Sequence, residues 1–127
     1  SPSRGLGDVY KRQEEDRGMS KVKTLDEYQR AAATTAIYPE NRALEYLSLG
    51  LSAEVGELTG KLAKWYRKDE MAYPHGDVLD ELGDVLWFVS EFARQHNTSL
   101  SKLANRNISK LSDRYERGVL KGSGDKR

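Results

Sequence analysis

Acidic residues at the edges of two long apolar helical stripes constrain this chain more than any other feature of its sequence. Between Arg42 and Lys68 the residues Leu44, Leu47, Leu51, Val55, Leu58, Leu62 and Trp65 recur with the period of an α-helix. On a helical wheel Glu54 falls in or at the edge of that stripe, beside Leu47 and Trp65, with Glu57 and Lys61 just beyond it on the same side. A second segment, from about Asp77 to Gln95, repeats the pattern with Val78, Leu79, Leu82, Val85, Leu86, Val89 and Phe92. Glu81 borders this arc and Asp84 lies one step further round, with Phe88 between them on the wheel. Surface acids belong on the opposite face. An unpaired carboxylate taken out of water costs several kcal/mol, so acids placed here need a cation or strong hydrogen bonds.

Each pair, Glu54 with Glu57 and Glu81 with Asp84, holds two carboxylates on neighbouring turns of one face. If the two helices face each other, the four acids form one pocket. Oxygen-only ligation suits a hard cation, Mg2+ or Mn2+, whereas zinc favours His or Cys and a ferritin-like di-iron site favours Glu-x-x-His. Neither His75 nor His96 stands three residues after a Glu, which argues against di-iron; both read as surface residues. A single Glu-x-x-Glu is common on solvated helix faces. Two pairs, both abutting apolar stripes on adjacent helices, are not.

The remaining organisation predicts an all-α protein of four helices. Thr24 and Glu27 have the spacing of a capping box, starting a first helix expected to run to about Tyr38. Pro39 ends it; Tyr73 to Gly76 is a turn cluster, and Asn97 to Ser99 separates the third helix from a fourth over about Ser99 to Arg117. Gly118 is a C-cap signal. Residues 19–117 are therefore expected to form the folded domain. Residues 118–127 are expected to be a flexible Gly-rich tail, and residues 1–18 a non-native or disordered leader ahead of a native start at Met19.

Composition narrows the partners. The formal net charge of +1 gives no global field for nucleic acid or an anionic membrane, so neither is expected as a partner and any phosphate recognition must be local. With no cysteine, thiolate zinc sites, cysteine nucleophiles and disulfide scaffolds are all excluded. That is compatible with a cytoplasmic location, and no apolar run is long enough to span a bilayer. A chain of 127 residues buries a small core, so a homo-oligomer, dimer or tetramer, is expected.

The strings GLSAEVGELTGKLAKW and VLDELGDVLWFV, together with NISKLSDRY and the GSGD tail, resemble the MazG-like branch of the all-α nucleoside triphosphate pyrophosphatases over about residues 25–127. The resemblance implies a four-helix MazG-like protomer that hydrolyses a nucleoside triphosphate between its α and β phosphates, releasing the monophosphate and pyrophosphate. It implies Glu54, Glu57, Glu81 and Asp84 as magnesium ligands, with one of the first pair also orienting the attacking water. Many relatives carry a further acid just before the first motif Glu. This chain has Ala53 there, which leaves no fifth carboxylate at that position.

The fourth helix fits the same picture. Leu100, Leu103, Ala104, Ile108 and Leu111 are expected to face inward, yet Asn107 projects within that arc with Lys110 and Arg114 beside it. An amide can read a base edge or a phosphate, and the cations suit polyphosphate oxygens. Lys61 is a further phosphate ligand by position. Trp65 and Phe88 are candidates to stack on a base, against the alternative that they are core residues. Trp87 projects on the polar side, as an interface residue would. Two rival readings share these residues: a phosphoribosyl-ATP pyrophosphohydrolase-like enzyme, and a non-catalytic helical module that binds metal or nucleotide.

Overall fold

The computed structural model describes residues 7–12, 21–69 and 72–125. It contains helix α1 (Leu25–Ala33), a 3-10 turn (Glu40–Arg42), α2 (Ala43–Tyr66), α3 (His75–Gln95) and α4 (Leu100–Glu116). Residues 7–12 are helical too, within the expected leader; residues 1–6 and 13–20, Met19 among them, lie outside the described residues. There is no strand among the described residues, as expected of an all-α fold.

Local chemistry accounts for the boundaries. Thr24 Oγ1 accepts from the Glu27 amide at 3.0 Å, and the Glu27 carboxylate accepts from the Lys23 amide at 3.0 Å, one residue before the position a capping box would use. Helix α1 stops at Ala33, well short of the expected Tyr38. There the Thr34 and Thr35 hydroxyls each donate at 2.7 Å to the carbonyls of Ala31 and Ala32, offering the backbone an alternative to further helix. Helices α2, α3 and α4 each end on a left-handed residue, Lys68, Asn97 and Gly118. After each, the next amide reaches back to close the last turn: Asp69 to Lys64, Thr98 to Ala93 and Val119 to Arg114.

Helices α2 and α3 form the main antiparallel pair, and α1 bridges α3 and α4. Side chains of α1 satisfy the free amides at the start of α4: Asp26 accepts from the Ser101 amide and hydroxyl at 3.1 and 2.7 Å, and Gln29 accepts from the Leu100 amide at 3.1 Å. The core gathers Tyr38, Ala43, Leu47 and Phe88, flanked by Leu51, Trp87 and Phe92. Gly50 lets the Phe88 ring lie directly on the α2 backbone, where a Cβ would overlap it. Trp87 belongs to this packing: its ring meets those of Tyr38 and Phe88 edge-on, and its indole N–H donates to Thr35 Oγ1 at 2.8 Å.

Part of the expected inward arc does not face inward. Leu79 is 54% exposed and Leu82 46%, and Leu86 is exposed as well, because the face of α3 that meets α2 is the one bearing Glu81 and Phe88; on α4, Leu103, Ile108 and Leu111 are exposed too.

Candidate metal centre

The antiparallel pairing of α2 and α3 brings the motif acids together. Glu54 and Glu57 sit on neighbouring turns of α2, and Glu81 reaches them from α3; each offers a carboxylate oxygen within 4.8 Å of the others. Glu81 is 7% exposed, less than the leucine on either side of it at positions 79 and 82. Glu54 Oε2 and Glu81 Oε2 are buried with no hydrogen-bond partner. Buried polar atoms are almost always satisfied, so two orphaned carboxylate oxygens in one cluster point to a ligand rather than to packing. Three carboxylates converging with only oxygen donors fit a hard divalent cation.

Asp84 is placed differently. It is exposed and stands outside the group of three. Its charge nonetheless reaches the cluster. Glu54 is pushed up to about 7, first by burial, then by the close approach of the Glu81 carboxylate, then by repulsion from Asp84, Glu57 and Glu81. The carboxyl of Glu81 moves the other way, below the usual range, chiefly because Lys61 donates to it. Lys61 Nζ lies 3.1 Å from Glu81 Oε1, so this lysine crosses from α2 to α3 inside the site.

The other residues expected in the site fall into two groups. Trp65, at the end of α2, packs edge-on against Tyr73 and Tyr66, with ring centroids 5.1 and 4.8 Å away. Phe88 is 7% exposed and committed to the core against Gly50, so the base-stacking role gives way to the packing one. On α4, Asn107 and Lys110 line a cavity of about 660 Å³ with Leu103, Ala104, Arg106 and Asp125. Arg114 is buried, and its guanidinium donates to the Asp125 carbonyl at 2.7 Å and to its carboxylate at 3.2 Å. Lys110 joins the same carboxylate at 2.9 Å. Residues 118–125 have no regular structure, yet Asp125 ties them to α4.

Sequence reasoning missed three participants. Tyr73 was legible only as a turn residue and Asp125 only as part of a polar tail. Glu91 is fully buried on α3, where Tyr38 donates to it at 2.5 Å and Arg94 at 2.7 and 2.9 Å. Its helical position repeats that of Asp84 two turns on, and that was the available signal.

Comparison with known proteins identifies the family of the region that carries these acids. The family model for the MazG nucleotide pyrophosphohydrolase domain matches residues 42–119, which include all the acids of both pairs. The chain is similar to the "Gene 37 protein" of Mycobacterium phage L5, 42% identical over 112 residues that cover 81% of this chain and 98% of that protein. No solved structure matches.

Proposed function

The chain belongs to the MazG nucleotide pyrophosphohydrolase family, and from that membership we propose that it cleaves a (deoxy)nucleoside triphosphate between its α and β phosphates, with Mg2+ or Mn2+, to give the monophosphate and pyrophosphate. One observation carries the reading: carboxylate oxygens of Glu54 and Glu81 lie buried and without partners in the seam between α2 and α3 while leucines of α3 remain exposed.

Glu54, Glu57 and Glu81 hold the cation, with Asp84 closing the set from the exposed side. A divalent ion bound there supplies charge neutralisation at the phosphate oxygens and makes water a better nucleophile. Glu54 or Glu57 takes the proton of the attacking water on a carboxylate oxygen. The Lys61 ammonium faces the polyphosphate, Lys110 and Arg114 add positive charge, and Asn107 and Trp65 meet the nucleoside.

Exposed Leu79, Leu82 and Leu86 on α3 and Ile108 on α4 give a second copy of the chain an apolar surface to cover, so the working unit is a homo-oligomer. No described helix is long and apolar enough to cross a membrane.

The decisive experiment measures pyrophosphate release from a panel of nucleoside triphosphates with and without Mg2+, using the wild type, Glu54→Gln and Asp84→Asn. Metal-dependent release that disappears in both folded variants supports the assignment; full activity in both sinks it. Light scattering on the purified protein reads the oligomer, and a monomer at micromolar concentration refutes that part.

A further inference from the structure

Lys61 stands one turn beyond Glu57 on α2, and its ammonium reaches across to Glu81 Oε1 at 3.1 Å. Of the two oxygens of Glu81, one is therefore taken by Lys61 and the other has no partner. Both belong to the carboxylate that, with Glu54 and Glu57, makes the only three-acid group of metal-binding geometry among the described residues. A divalent cation drawn to the partnerless oxygen of Glu81 sets a second positive charge on the carboxylate whose Oε1 already accepts from the ammonium, and the two cations repel each other at that short range. Lysine is suited to give way: it is a point charge on a flexible four-carbon stem, with no planar fork to hold it in place.

We propose that Lys61 is an exchangeable counter-ion of the acid cluster: a divalent cation displaces its ammonium from Glu81, and the freed ammonium then serves the polyphosphate. Metal loading and phosphate binding are thereby coupled through one side chain. This rests on the reading above that the acids hold a divalent cation, and it makes a prediction that reading alone does not. Lys61 competes with the metal, so removing it tightens metal binding while weakening phosphate binding.

The test is a Mn2+ titration, followed by electron paramagnetic resonance, of the wild type, Lys61→Gln and Lys61→Arg. Lys61→Gln is expected to bind Mn2+ about fivefold more tightly, the factor that a partly exposed ion pair commands, and to keep that gain at high ionic strength, where long-range charge effects are screened. Lys61→Arg, whose guanidinium grips a carboxylate with two N–H groups, is expected to bind Mn2+ more weakly than the wild type. With Mn2+ bound, Lys61→Gln is expected to take up inorganic pyrophosphate about fivefold less well. Acylation of Lys61 by an amine-reactive ester, read by mass spectrometry, is expected to speed up when Mn2+ saturates the wild type. Equal Mn2+ affinity in all three proteins, a gain that vanishes at high salt, or unchanged acylation overturns the exchange and leaves the metal site standing. A wild type that binds no Mn2+ overturns both.

Discussion

Helix α3 carries two buried glutamates, one near each end, and they are treated in opposite ways. Toward the C-terminal end Glu91 is 0% exposed, and both its oxygens are engaged, by the Tyr38 hydroxyl and the Arg94 guanidinium. Burial pushes its carboxyl up, but the hydrogen bonds from Arg94 and Tyr38 and the Arg94 charge outweigh burial and leave it below the usual range. Toward the N-terminal end Glu81 meets Glu54 with an orphaned oxygen on each, and Glu54 is held up near 7. A buried acid with every lone pair answered holds a fold together. A buried acid facing other acids costs stability and is retained for what it binds.

The contrast can be broken in four ways. The largest expected effect is on turnover: Glu54→Gln should lower pyrophosphate release by about 10³-fold, or about 4 kcal/mol of barrier, with little loss of stability. Glu91→Ala should do the reverse. It strands Tyr38 and Arg94, and since Arg94 is partly exposed the cost is discounted to about 2–3 kcal/mol, read as a lower urea midpoint. If Glu54→Gln unfolds the protein and Glu91→Ala does not, the comparison fails.

Gly50→Ala probes the packing between the two sites. Its methyl group would overlap the Phe88 ring, which lies between Glu81 and Glu91 along α3. The expected loss is about 1–2 kcal/mol, with reduced metal affinity as α2 and α3 separate; wild-type values of both would show that the seam has room.

The smallest effect concerns pH, where the two sites have opposite signs. Glu54 binds its proton more tightly folded than unfolded, with a pKa near 7 against an ordinary 4.5. Its contribution to stability is therefore full below about pH 4.5 and is lost as pH rises through about 7. Glu91, held below the same ordinary value, stabilises above about pH 4.5 and ceases to do so as pH falls through its lowered pKa. Without metal the Tm should fall by a few degrees between pH 5 and 8; Glu54→Gln should flatten that slope, and saturating Mg2+ should reverse it, because the ion competes with the proton. A Tm that rises with pH in the metal-free protein would contradict the state assigned to Glu54.

Much of this was legible from local patterns. Thr24, Ser99 and Gly118 mark helix ends through hydrogen bonds made within a few residues, and all three do so in the structure. Glu54 and Glu81 stood out because acids displaced leucines from an apolar edge. The early end of α1 was not legible, since it depends on Thr34 and Thr35 turning their hydroxyls back onto the helix. Nor was the attachment of the tail: Asp125 looks like any polar terminus until Lys110 and Arg114 lie beside it.

The sequence by itself determined that residues 25–116 form four helices, the caps at Thr24, Ser99 and Gly118 and the anomaly of the acids, because period and capping are properties of neighbouring residues on one backbone. Only the tertiary structure decided which anomalous acid is which. Asp84 and Glu91 lie two turns apart on nearly the same line of α3, yet Asp84 is exposed and Glu91 is sealed. The difference is what lies opposite: Tyr38, released by the short α1, folds over Glu91, while Asp84 is left open beside the cluster of Glu54, Glu57 and Glu81. Burial is set by the partner a face meets, and no wheel drawn on a single helix contains that partner.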